Sequence, residues 1–152
     1  MAVYFFDSSA VFKRYASEIG TIWVLGILDP AAGNIIYMAS ITGVEVVSAL
    51  VRQIPPLPAP DLARVILEFK NDYRNQYQRV AINDSLLAGA MILAETHRLR
   101  GYDAVQLAGA VELNRLRIAA GLPPATLVSA DHQLNSAAAK EGLVVEDPTS
   151  HS

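Results

Sequence analysis

At 152 residues the chain has the size of one domain and enough mass to bury a core. It has no cysteine, which removes disulfides and thiolate metal sites, and no two of its histidines (His97, His132, His151) stand at a chelating i, i+4 spacing. A net charge of −3 argues against a general nucleic-acid coat, and 52% apolar content predicts surface that meets another chain.

Val3 to Phe6 is short, apolar and aromatic and predicts a buried strand ended by Asp7. Ala10, Val11, Phe12 and Tyr15 fit a short helix, and Thr21 to Leu28 a second one, closed by Asp29-Pro30. Ile35 to Met38 predicts the second strand after a Gly33-Asn34 turn. Thr42 to Gln53 follows as a helix with apolar residues on more than one side, hence expected to be well buried. The proline-rich stretch from Pro55 to Pro60 cannot continue it, because proline lacks an N–H and pushes its neighbours to extended conformations.

Asp61 opens a long helix to about Tyr77, with Leu62, Val65, Ile66, Phe69 and Tyr73 at helical spacing. Val80 to Ile82 reads as a short strand, and Asn83 or Asp84 caps a helix to His97. Asp103 starts a helix to about Ala120, ended by Gly121-Leu122-Pro123-Pro124. Thr126 to Ser129 is a strand, Asp131 to Glu141 a helix, and Leu143 to Val145 the last strand. The reading gives one domain over residues 1–148 and a polar, frayed C-terminal tail at 149–152.

Strands alternating with helices predict an α/β fold with a central parallel sheet between two helical layers. The helices flanking the proline segment pair as a hairpin. No basic region precedes the first apolar stretch, and the longest apolar or small run, Leu86 to Ala94, is far short of the roughly 20 residues that span a bilayer. A cytoplasmic protein without membrane contact is expected.

Four acids stand where an apolar stretch gives way to a helix: Asp7, Glu45, Asp103 and Asp131. Each has a local explanation. Asp7 and Asp131 suit N-caps, Thr42 with Glu45 fits a capping box, and Asp103 with Gln106 fits the same scheme. Together they fit another role. In open parallel sheets sites lie beyond the C-terminal strand ends, where Asp7 and Asp131 fall directly and where the helices of Glu45 and Asp103 can reach. Converged carboxylates raise one another's pKa values unless a cation sits among them, and Mg²⁺ or Mn²⁺ takes such hard oxygen ligands. Ser9 and Ser129, two positions from Asp7 and Asp131, have hydroxyls able to orient a carboxylate. His132 suits an exposed surface, Arg98 and Arg100 suit either solvent or a phosphate contact, and Tyr15, Tyr73 and Tyr77 suit either the core or stacking on bases.

The four segments together resemble the PIN-domain nucleases, and within them the VapC-type toxins of toxin–antitoxin pairs. The resemblance lies in Tyr4-Phe5-Phe6-Asp7-Ser8-Ser9, in Ser40-Ile41-Thr42-Gly43-Val44-Glu45, in Leu99-Arg100-Gly101-Tyr102-Asp103-Ala104 and in Leu127-Val128-Ser129-Ala130-Asp131. It spans nearly the whole chain in order, the third segment is the most telling, and no expected acid is missing. It implies a PIN-like three-layer α/β/α sandwich with a helical hairpin. It also implies a metal-dependent endoribonuclease that hydrolyses RNA phosphodiesters as the toxin of a type II pair. Asp7, Glu45 and Asp103 would ligate Mg²⁺ or Mn²⁺, with Asp131 a further ligand, direct or through water. The partners implied are RNA, an antitoxin protein and a second copy in a homodimer. A housekeeping PIN nuclease and a non-catalytic binding module are the alternatives. A phosphatase of another α/β fold ranks low, because position 9 of the Asp-x-Asp pattern it would use is Ser.

Overall fold

A computed structural model describes residues 1–151. Five strands, β1 (Val3–Phe6), β2 (Ile35–Ala39), β3 (Gln78–Val80), β4 (Thr126–Val128) and β5 (Val144–Glu146), form one sheet in the order β3-β2-β1-β4-β5. Every neighbouring pair is parallel. Between the strands run α1 (Ser8–Tyr15), α2 (Thr21–Leu28), α3 (Thr42–Val51), α4 (Ala59–Asn75), α5 (Asp84–His97), α6 (Gly101–Ala119) and α7 (His132–Lys140).

The pleat of β1 sends Phe5 and Phe6 to opposite faces, and both are fully buried. Each such side chain contributes about 1.5–3 kcal/mol of burial. Phe5 joins Ala39 and Leu127 under α5, α6 and α7, whose Leu93, Leu107 and Leu134 complete that layer. Gly109 of α6 admits this packing, since a Cβ there would press on the Phe5 ring. Phe6 joins Ile36, Met38 and Val128 under α1 to α4, through Val11, Val24, Leu50 and Phe69. The result is the expected three-layer α/β/α sandwich, with α3 and α4 packed together as the hairpin.

Several boundaries differ from the expected ones for physical reasons. The third strand lies at 78–80 rather than 80–82, because β2 fixes the register at Tyr37 with Gln78 and Ala39 with Val80. Its exposed Gln78 and Arg79 suit a sheet edge. Helix α4 starts at Ala59 and takes Pro60 into its first turn, where the missing N–H costs nothing. Helix α3 is one-sided rather than well buried: Val46 and Leu50 are in the core while Val44 is 67% exposed.

Residues 148–151 pack against the domain. Pro148 is buried in a 3₁₀ turn over Pro148–Ser150. His151 stacks on Trp23 of α2 with ring centroids 4.3 Å apart and bonds Glu146 at 2.9 Å. Gly20 allows this close approach: its φ is +91°, and a Cβ would overlap the Pro148 carbonyl. Ser152 lies outside the described residues. Among those described, no helix is long and apolar enough to cross a membrane.

From β1 the chain winds outward through β2 to β3, then returns to the other side of β1 for β4 and β5. That reversal makes the C-terminal ends of β1 and β4 the switch point, the usual place for a site in such a sheet.

Candidate metal centre

Asp7 follows β1 at this switch point and is 3% exposed. Its Oδ1 accepts from the Ala10 N–H at 3.0 Å, which makes it the N-cap of α1 as expected. The Ser9 hydroxyl donates to the same oxygen at 2.7 Å, and the Ser129 hydroxyl donates to Oδ2 at 2.7 Å. Each serine is held in turn by backbone beyond β4, the Ala130 N–H donating to Ser9 Oγ and the Asp131 N–H to Ser129 Oγ, both at 3.0 Å. Two hydroxyl relays thus fix the carboxylate from both sides.

Glu45 takes no part in a capping box. Helix α3 begins at Thr42 after Ile41, with no side-chain cap, so Glu45 falls past the position from which it could reach back. Its carboxylate instead accepts from the Ser8 hydroxyl at 3.1 Å through Oε2 and from Gln106 Nε2 at 2.7 Å through Oε1. The Asp103–Gln106 box is absent for a similar reason: α6 starts at Gly101, two residues earlier than expected. Asp103 therefore sits in the first turn, where the helix dipole favours an acid. Among the described residues no hydrogen-bond donor reaches its carboxylate. Asp131 caps α7 through Oδ1, which accepts from the Leu134 N–H at 2.9 Å.

The electrostatics link the four acids into one group. Burial is the main cause that lifts Asp7 from an ordinary 3.8 to about 6; the donors Ser129, Ser9 and Ala10 oppose it, and Glu45 adds to the rise. Asp103 is raised by its own burial, then by the charges of Asp131 and Glu45, with Arg100 opposing. None of the four acids forms an ion pair with Lys, Arg or His among the described residues. Mutual repulsion of this kind is what a bound cation would relieve.

The donor chemistry, four carboxylates with hydroxyls behind them, fits a hard divalent ion. Among the described residues, however, no three Asp, Glu or His side chains stand as a ready-made cage. Asp7 and Glu45 are fixed by hydrogen bonds on both oxygens. Asp103 is the acid free to turn toward an ion, and Asp131 keeps Oδ2 available while Oδ1 caps its helix.

Gln106 was legible in sequence only as a capping partner of Asp103, and its contact with Glu45 across 61 positions has no local signal. His132 is exposed and faces Asp147 at 3.8 Å, away from this group. Tyr15 and Tyr77 are buried and joined by their hydroxyls at 2.6 Å, which removes them as stacking surfaces for bases. Tyr73 is half-buried beside Gly43 and donates to the Ser40 carbonyl at 2.8 Å.

No family model matches the chain. No curated protein matches it. Solved structures do match over nearly their whole length. VapBC2 from Rickettsia felis, bound to a DNA fragment from its promoter, is 14% identical with a TM-score of 0.63, covering 95% of this chain and 98% of that one. FitAcB from Neisseria gonorrhoeae is 14% identical with a TM-score of 0.63, over 96% and 97% of the two chains. PAE2754 from Pyrobaculum aerophilum is 19% identical with a TM-score of 0.56, over 95% and 89%. The chain has the fold of these proteins, as the resemblance implied.

Proposed function

We propose that this PIN-like chain is a metal-dependent endoribonuclease, the toxin of a type II toxin–antitoxin pair, acting in the cytoplasm on RNA phosphodiesters. One observation supports the reading: beside the switch point of the parallel sheet Glu45 raises Asp7, Glu45 and Asp131 raise Asp103, and none of the four acids is ion-paired among the described residues. The likeness to VapBC2 and FitAcB supports the toxin branch.

Asp7, Glu45, Asp103 and Asp131 would hold Mg²⁺ or Mn²⁺. When bound, such an ion would supply Lewis-acid stabilisation of charge at a phosphodiester and lower the pKa of a water. The chain's own contribution is preorganisation. Ser9 and Ser129 hold both oxygens of Asp7, and Ser8 holds Glu45, so these two acids are set before substrate arrives. A carboxylate of the group would orient a water or take its proton.

Exposed apolar side chains support the partner assignment. Gly43, Val44, Val47, Phe69 and Tyr73 line a groove of about 490 Å³ between α3 and α4, suited to an antitoxin segment. Ile22 on α2, Met91 and Ile92 on α5 and Ile118 on α6 are more than 60% exposed, in keeping with a homodimer.

The test is RNA cleavage by wild type and by Asp103→Asn, purified identically. Wild type should cut RNA with Mg²⁺ or Mn²⁺ and stop in EDTA, and the variant should be inactive. Equal cleavage by the variant contradicts the role of Asp103. An adjacent short reading frame whose product co-purifies and inhibits separates the toxin from a housekeeping nuclease.

A further inference from the structure

We propose that Gln106 is a positioning residue for Glu45, clamping its carboxylate at the acidic cluster from an anchor on Thr42. Gln106 is 1% exposed and lies one turn beyond Asp103 on α6. Its Nε2 donates to Glu45 Oε1 at 2.7 Å and to Thr42 Oγ1 at 2.8 Å, so both amide protons are used. Thr42 is itself fully buried, which makes the anchor rigid. The Ser8 hydroxyl takes the other oxygen of Glu45, and the acid is held from two elements at once.

The orientation of the amide follows from chemistry. A carboxylate needs donors, so the NH₂ must face Glu45. That leaves Gln106 Oε1 buried with no hydrogen-bond donor among the described residues. Such an orphan destabilises the fold, and a Leu or Met at this core position would avoid it. The amide is explained by what it does for Glu45. Helix α6 then supplies one acid of the cluster and fixes a second, coupling α3 to α6 beside the switch point. Groups that orient a ligand in this way typically change metal affinity or activity by about 10–100-fold.

This inference rests on the metal-centre reading, and the test separates the two. The side-chain ¹⁵N–¹H₂ signals of Gln106 are assigned by their loss in Gln106→Leu. In metal-free wild type they should exchange slowly with water and should shift in Glu45→Gln. By calorimetry, Mg²⁺ or Mn²⁺ affinity should fall about tenfold or more in Gln106→Leu. RNA cleavage should lose kcat while KM is kept. In a Glu45→Gln background the same substitution should cost no further affinity. Gln106→Asn, whose amide is one methylene short, carries the same expectation if the Leu variant does not fold. Unchanged metal affinity with only a lower melting temperature overturns the proposal, as do amide signals unmoved by Glu45→Gln. If wild type binds neither ion while those signals still respond, the clamp stands and the nuclease reading falls.

Discussion

The Ser129 hydroxyl donates to Asp7 Oδ2 at 2.7 Å across 122 positions of sequence, tying the ends of β1 and β4 together where the sheet changes direction. This bond extends the β1–β4 pairing by a side-chain link and sets one face of a buried acid. Metal-free, that acid is a liability to the fold, and its titration gives a direct prediction.

Burial lifts the Asp7 carboxyl from 3.8 to about 6. Between these values the native state binds more protons than the unfolded one, so stability falls as pH rises. The Asp7 contribution is fully present below pH 3.8 and is lost by the time pH passes about 6. Asp7→Asn removes the buried charge. Its metal-free melting temperature at pH 7.5 should exceed that of wild type, each kcal/mol gained appearing as roughly 2–4 °C in a chain of this size. Added Mg²⁺ or Mn²⁺ should stabilise wild type and not the variant. Calorimetric melting at several pH values, with and without the ion, measures both.

A second polar group binds the layer opposite the α5–α7 face. The Tyr15 hydroxyl donates to Asp72 Oδ2 at 2.7 Å and meets the Tyr77 hydroxyl at 2.6 Å. Arg14 donates to Tyr77 and Gln76, each at 3.0 Å, and pairs with Asp72 at 3.3 Å. Tyr15→Phe leaves Asp72 short of a donor and should cost about 1–3 kcal/mol by chemical denaturation. Burial pushes Tyr77 up to about 12, and Tyr15, buried beside it, higher still. The stability tied to these phenols is whole below the ordinary value of 10 and is lost as pH climbs through the folded values. Phenolate absorbance from both should therefore appear at higher pH in the folded chain than in the unfolded one.

The chain has one tryptophan, Trp23, and His151 lies parallel to it at an interplanar angle of 3°. His151→Ala should shift Trp23 emission to the red by admitting water. It should cost about 0.5–1.5 kcal/mol, the range for a stacked pair of rings. Emission spectra and denaturation of the variant check both. An unchanged spectrum would place the C-terminal residues away from α2.

Much of this architecture was legible in the sequence, for identifiable reasons. Helix α2 runs from Thr21 to Leu28 as read, because Asp29-Pro30 stops an apolar run. Asp7, Asn83 and Asp131 cap the helices they precede, because a cap is a contact made within three residues. Glu45 shows where local reading ends. Thr42 and Glu45 have the letters of a capping box, yet the carboxylate goes to Ser8 and Gln106, donors 37 and 61 positions away. The docked C-terminal turn was missed for a related reason. It depends on Gly20, 128 residues earlier, giving Pro148 room.

The central claim is that Asp7, Glu45, Asp103 and Asp131 share a divalent ion. Anomalous diffraction from crystals grown with Mn²⁺ tests it most directly. One strong peak bounded by these four carboxylates, with the Asp103 side chain turned onto it, is the predicted result. A map with no peak there at saturating Mn²⁺, or a peak that leaves Asp7, Glu45 and Asp103 uncoordinated, contradicts the account.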